Sequence, residues 1–316
     1  MIAALRKPVA AAWMALCALM LVSCDGEHGV APARETERPV AAPPGTAPVK
    51  PTAALVAALK AAKDEDAKTA VVRKLLDRRG AEVGEALSWV IENEDDEDAK
   101  GRIVTEIAKG TTPDVIELLK KIYNVGDDGL FTGPAAEALV KIPGDEMSKM
   151  LAEGFKNQST ECASASVADA LAKRKDKAIT EALLWAIEDL EPTWQIARAR
   201  VIAGLGGRKD RRATEALLDS IENAEYDGAR EAAAQALALE DGTKVTAALV
   251  KALATDETEE VRVAAAESLG RRRRARQAER EAITAEIEKI LAKEKADDVK
   301  KAIAGALAVK GPAAKP

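Results

Sequence analysis

Aromatic residues are scarce in this chain, with four Trp, two Tyr and two Phe in 316 residues. A β-sandwich or barrel leans on aromatic and β-branched side chains, so that class is disfavoured from the start. Histidine is nearly absent: the one imidazole, His28, leaves little for proton shuttling or metal ligation. Three cysteines, Cys17, Cys24 and Cys162, are too few for a disulfide framework. A charge excess is lacking too. The 47 Lys and Arg against 53 Asp and Glu leave −6, which argues against a general nucleic-acid binder. The uncharged apolar run at residues 8–23 falls short of the ~20 residues a spanning helix needs. What fills the chain instead is Ala, Leu, Glu, Lys and Arg, the vocabulary of helices.

The first 24 residues read MIAALRKPVAAAWMALCALMLVSC, with Arg6 and Lys7 ahead of the apolar run and small residues closing it. That is the order of a secretory signal, an uncleaved signal anchor being the alternative. Leu21-Val22-Ser23-Cys24 resembles the bacterial lipobox. The resemblance implies cleavage before Cys24 and acylation of its thiol and new amine. Several acyl chains hold a protein to a bilayer at ~0.8 kcal/mol per buried CH₂. The expected divisions are a signal peptide over 1–23, a Pro/Ala-rich tether over 24–52 lipidated at Cys24, a repeat domain over 53–310 and a disordered tail over 311–316. The tether carries six prolines from Pro32 to Pro51 and no apolar periodicity, so it cannot bury enough surface to order itself. Extended as a polyproline helix it would reach roughly 80 Å. The expected location is the cell envelope, lipid-anchored and facing the periplasm. Asp25 resembles the inner-membrane retention signal of enterobacterial lipoproteins, without deciding between inner and outer membrane.

Beyond residue 52 the chain repeats. Leu55, Leu87, Leu119, Leu151 and Leu183 recur every 32 residues, followed by Leu217, Leu249 and Ile287. A second series runs beside them: Leu75, Ile107, Leu139, Leu171, Leu205, Leu237, Leu269 and Leu307. Two markers stepping together through eight units define a tandem repeat. Within a unit, Val245, Leu249, Val250 and Leu253 lie on one face of a helix, a polar turn follows, and residues 261–269 supply a second, alanine-lined helix. One helix pair cannot bury its own apolar face, so stacking supplies the core. Gly80, Gly110, Gly144, Gly206, Gly242 and Gly270 follow the second helices and are expected to cap their C-termini. The expected fold is therefore all-α, a solenoid of about eight two-helix repeats.

The segment AALVKALATDETEEVRVAAAESLG, residues 247–270, resembles the short HEAT-like repeat of the phycobilisome-lyase type, an armadillo-type α-solenoid. The resemblance implies that second helices line the concave side. It also implies a structural role for one ladder of positions: Lys68, Lys100, Thr132, Ser164, Arg198, Arg230, Arg262 and Lys300. In that family the equivalent Arg bonds turn carboxylates and carbonyls; a basic ladder for acidic partners is the alternative. Deoxyhypusine hydroxylase is similar in architecture but needs His-Glu pairs to hold two irons, and no His lies in the repeats. Ser-His-Asp and Cys-His catalysis lack a positioned base. The expectation is that the chain is not an enzyme and has no catalytic residues, cofactor or metal.

Three features remain as candidate sites. The acidic run at residues 92–98 lacks the glycine and terminal Glu of a calcium loop and reads as a capped turn. Arg271, Arg272, Arg273, Arg274 and Arg276 are a candidate polyanion patch, or the start of a longer outer helix paired with Glu279 and Glu281. Trp89 and Trp185 sit in the same phrase three units apart, flanked by Glu85 and Glu92 and by Glu181 and Glu188. Both fall about 200° round the helix from the core marker, a position pointing to water, and are candidate partner contacts. Trp194, after Pro192, reads as a local plug, and Cys162 as a small packed residue. Together these readings describe a membrane-anchored, protein-binding scaffold or adaptor of the envelope, with no nucleic acid or metal expected. A lyase-like or chaperone-like accessory using the concave groove, or a small-ligand or glycan sensor, is the alternative.

Overall fold

A computed structural model describes residues 52–125, 129–275 and 280–308. Cys24, the signal, the tether with His28, Arg276 and the tail over 311–316 lie outside the described residues. Sixteen helices and no strand are found among the described residues. They fall into eight pairs. α1 (Thr52–Ala61) pairs with α2 (Glu65–Leu76), α3 (Ala81–Glu92) with α4 (Glu97–Ile107), α5 (Pro113–Val125) with α6 (Gly129–Leu139), and α7 (Asp145–Lys156) with α8 (Glu161–Leu171). The later pairs are α9 (Lys177–Asp189) with α10 (Gln195–Leu205), α11 (Arg211–Asn223) with α12 (Asp227–Leu237), α13 (Thr243–Thr255) with α14 (Glu259–Ala275), and α15 (Arg280–Leu291) with α16 (Asp297–Ala308). No helix among the described residues is long and apolar enough to cross a membrane.

Each helix packs on its pair-mate and, α5 and α7 apart, on its counterpart in the next pair, which makes two stacked layers and a solenoid of HEAT-like pairs. Every first-series marker is buried, from Leu55 to Ile287, and so is every second-series marker through Leu269. Leu307 is only half-buried; among the described residues no further pair stacks on α16. Successive second helices pack more closely than successive first helices. The close layer is built from small residues such as Ala135, Ala136, Ala168, Ala233, Ala234, Ala265 and Ala266, all buried. The first-helix layer opens once, between α5 and α7, which lack the close backbone contact of their neighbours. Tyr123 fills that gap. Its ring lies over Gly154, where an added Cβ would sit 2.2 Å from it, and its hydroxyl donates to the Leu151 carbonyl. Burial pushes the Tyr123 phenol above its ordinary range.

Two expectations change. None of Gly80, Gly110, Gly144, Gly206, Gly242 and Gly270 is a left-handed C-cap: Gly206 is the C-cap of α10 but at φ −60°, and the positive φ after that helix belongs to Gly207, at 72°. Gly144 and Gly242 instead stand at the N-caps of α7 and α13, at φ 119° and 110° with ψ near 150°, a region closed to side chains. Gly270 lies inside α14, where a Cβ would come within 2.9 Å of Ala306. Arg271 starts no outer helix either: α14 runs on through residues 271–275, and α15 begins at Arg280.

Candidate functional site

Two edges of the stack carry buried polar chemistry. The first edge is the row of turns inside the repeats. Arg230, at the start of α12, donates to the carbonyls of Ala224 and Glu225 in its own turn. It also reaches Asp256 at 2.9 Å and the Thr258 hydroxyl in the turn of the next repeat. Arg262 donates to the carbonyls of Asp256 and Glu257 and pairs with Glu294 at 3.3 Å in the repeat after. Arg198 bonds the Leu190 carbonyl, and Lys300 bonds the Lys295 carbonyl and Asp297. At the other end Lys68 reaches Glu94 at 2.6 Å, while Lys100 pairs with Glu97 in its own repeat. Hydrogen bonding from Lys68 holds the Glu94 carboxyl below the ordinary carboxylate range. In the acidic run, Asp96 caps α4 by accepting from the Ala99 N–H at 2.8 Å. Among the described residues no group of three His, Cys, Asp or Glu side chains is placed to hold a metal.

In the middle of the ladder the basic side chains give way to Thr132 and Ser164, both buried, and the Ser164 hydroxyl has no hydrogen-bond partner among the described residues. A second set of arginines stands on the opposite edge, three residues past the second-series marker, and sequence reasoning missed it. Arg174 donates to the carbonyls of Val140, Ile142 and Gly144 and to the Ser148 hydroxyl, and pairs with Asp176 at 3.0 Å. Arg208 bonds the Gly204 and Leu171 carbonyls and the Thr180 hydroxyl. Burial draws its guanidinium down to about 10. Arg272 repeats the Arg174 pattern on the carbonyls of Glu240 and Gly242 and the hydroxyl of Thr246.

This geometry corrects the arginine run. Arg272 is 0% exposed and spent on the loop at the head of its own repeat. Arg273 donates to the Thr284 hydroxyl and to the carbonyls of Ala306 and Leu307 at the end of α16. Arg271 is half-exposed, but it lines a groove of about 710 Å³ on the second-helix face together with Glu231, Glu259, Glu260 and Glu267. A surface rich in carboxylates repels a polyanion. The Arg274 side chain and Arg276 lie outside the described residues.

The tryptophans belong to the first-helix face. Neither points freely to water as the helical wheel suggests. An indole is wide enough to rest one side on the core edge from that position, and both rings are half-buried against the core. The other side carries a lysine from the preceding first helix. Lys60 of α1 stands 5.4 Å from the centre of the Trp89 ring, and Lys156 of α7 stands 5.7 Å from that of Trp185. Beside Trp89 an open groove of about 860 Å³ runs between α1, α3 and α5. Val56, Ala57, Ala86 and Leu118 give it an apolar floor, and Glu82, Glu85 and Glu92 stand on its rim. Trp194, at the N-cap of α10, is partly buried against the core. Cys162 is exposed on α8 rather than packed.

Comparison with known proteins is sparse. No family model and no curated protein matches the chain. Among solved structures it is similar to human deoxyhypusine hydroxylase in complex with glycerol, at 18% identity and a TM-score of 0.34, over 81% of this chain and 94% of that one. The expectation that the chain is not an enzyme is corrected on this finding, because the matched structure is that of an enzyme. So distant a likeness transfers no activity, and the repeats here still contain no histidine.

Proposed function

We propose that this protein is a partner-binding repeat protein of the bacterial cell envelope, held to the membrane by lipid at Cys24 and presenting its first-helix face to other envelope proteins. One observation carries the reading: the same open tryptophan–lysine arrangement occurs twice on that face, at Trp89 and at Trp185. Three repeats separate them, roughly 24–30 Å at ordinary helix spacings. That distance suits two anchors within one protein–protein contact. The interior offers little competition, since its arginines are consumed by loop carbonyls and acids along both edges. Anchoring by lipid would confine such a binder to the membrane plane and raise its effective concentration toward neighbours there.

Cross-linking in intact cells tests this. The wild-type chain is expected to give discrete adducts in the membrane fraction. A Trp89→Leu/Trp185→Leu double variant should lose them with its helical circular dichroism unchanged, and Cys24→Ala should leave the membrane fraction. Adducts that survive in both variants overturn the reading.

A further inference from the structure

We infer that the groove at Trp89 takes the cationic side chains of a lysine- or arginine-rich segment of a partner, and that Lys60 holds the place of that ligand in the free protein. The inference rests on the partner-binding reading and names the chemistry of what is bound.

A protonated amine is drawn to the face of an indole by the ring's quadrupole, more strongly when carboxylates stand close by. The groove supplies both. Its ring face is open enough for Lys60 Nζ to lie 5.4 Å from the ring centre, which shows that an ammonium group fits there. On the rim, Glu82, Glu85 and Glu92 are exposed and make no ion pair among the described residues. Asp114 accepts from the Gly80 N–H at 3.2 Å, and Glu117 pairs with Lys120 at 3.3 Å, so these two are partly spent. Against the acids the groove sets only Lys60 and Lys121. The excess is negative, and it surrounds an aromatic floor. Val56, Ala57 and Leu118 offer apolar surface along which the methylene stem of a lysine or arginine can lie while its head stays near the acids.

Trp185 has the ring and the lysine but not the charge excess. Lys156 there also pairs with Glu153 at 3.8 Å, and Glu181 lies between Lys177 and Arg212. Glu188 is thus the one flanking acid that makes no ion pair among the described residues, against three around Trp89. The two sites therefore separate. Trp89 is the cation site, and Trp185 provides a matched control within the same chain.

Calorimetric titration of the full chain with acetylated, amidated hexalysine tests the assignment, with hexaglutamate as the opposite-charge probe. Saturable binding of hexalysine alone is expected. Trp89→Leu, which keeps the charges and the apolar bulk, should weaken it about tenfold. Lys60→Met should tighten it by vacating the ring, and Trp185→Leu should leave it unchanged. Glu82→Gln/Glu85→Gln alters only exposed side chains and should weaken binding even if Trp89→Leu disturbs folding. Equal affinity in wild type, Trp89→Leu and the glutamine variant would mean diffuse attraction to an acidic surface and overturns the inference. So would a chitooligosaccharide that binds in a Trp89-dependent way while hexalysine does not, or self-association that Trp89→Leu abolishes. If cellular adducts depend on Trp89 while hexalysine fails to bind, the cation assignment falls and partner binding stands. If hexalysine binds as expected but no adducts form, the groove keeps its cation preference and the partner reading falls.

Discussion

Glu94, Glu106, Asp176 and Glu294 are all held below the ordinary carboxylate range, each by a tie that joins one repeat to another or a loop to its helix. Hydrogen bonding from Lys68 depresses Glu94, and hydrogen bonding from Arg73, aided by Lys109, depresses Glu106. At Asp176 burial pushes upward but is outweighed by Arg174, the Ile179 N–H and Ser148. At Glu294 burial is likewise outweighed, by the N–H groups of Ala296 and Lys295 and by Arg262. A carboxylate depressed in the folded state contributes stability above its unfolded pKa and loses it as pH falls through the folded value. The melting temperature should therefore be flat from neutral pH down to about 5, then fall steadily below about pH 4. Thermal melts across that range check it, and a midpoint unchanged down to pH 3 would contradict it. These partners were only partly legible in the sequence. Arg230 and Arg262 sit at a fixed offset before the repeat marker. Arg174, Arg208 and Arg272 sit three residues beyond it, Arg174 and Arg208 in connecting segments and Arg272 inside α14; Arg78 holds the same place in the first repeat, but Gly110, Ile142 and Glu240 break the series. Arg272 was further disguised by its neighbours, since four consecutive arginines read as one surface feature.

For single elements, periodicity read the apolar side of each helix well and the polar side poorly. The leucine markers reach the core because a helix has one apolar stripe and the stack has one interior. A wheel angle does not say how much of a wide indole remains in water, so it could not place Trp89 and Trp185 at the core edge. Nor could it place the lysine above each ring, which comes from another helix. Glycine was ambiguous for a similar reason: residue type does not distinguish a cap from a close approach. At the α14–α16 contact the difference can be measured. Gly270→Val would drive a side chain into Ala306 and should cost about 1–3 kcal/mol by overpacking. Gly305→Ala, where an added Cβ meets nothing within 4 Å, should be neutral or stabilise by about 0.5–1 kcal/mol. Denaturant unfolding of the two variants gives the comparison, and equal stabilities would mean that α14 and α16 do not approach as described.

At the scale of the whole molecule, the tandem period alone conveyed the architecture, because translation along the chain becomes translation along the stack. What it did not convey is how neighbours are fastened. Apolar burial is shared between adjacent pairs; guanidinium ties on one edge run from one repeat to the next, and those on the other fasten the end of a repeat to the loop at its own head. Stability in such a stack is set by nearest neighbours rather than by one global core. Native-state hydrogen exchange on Arg230→Met tests this most directly, since Arg230 joins the turn of the α11–α12 pair to that of α13–α14. Protection is predicted to fall in α11 to α14 and to stay at the wild-type level in α1 to α4. A uniform loss across all sixteen helices, or a loss confined to α12, would contradict the account.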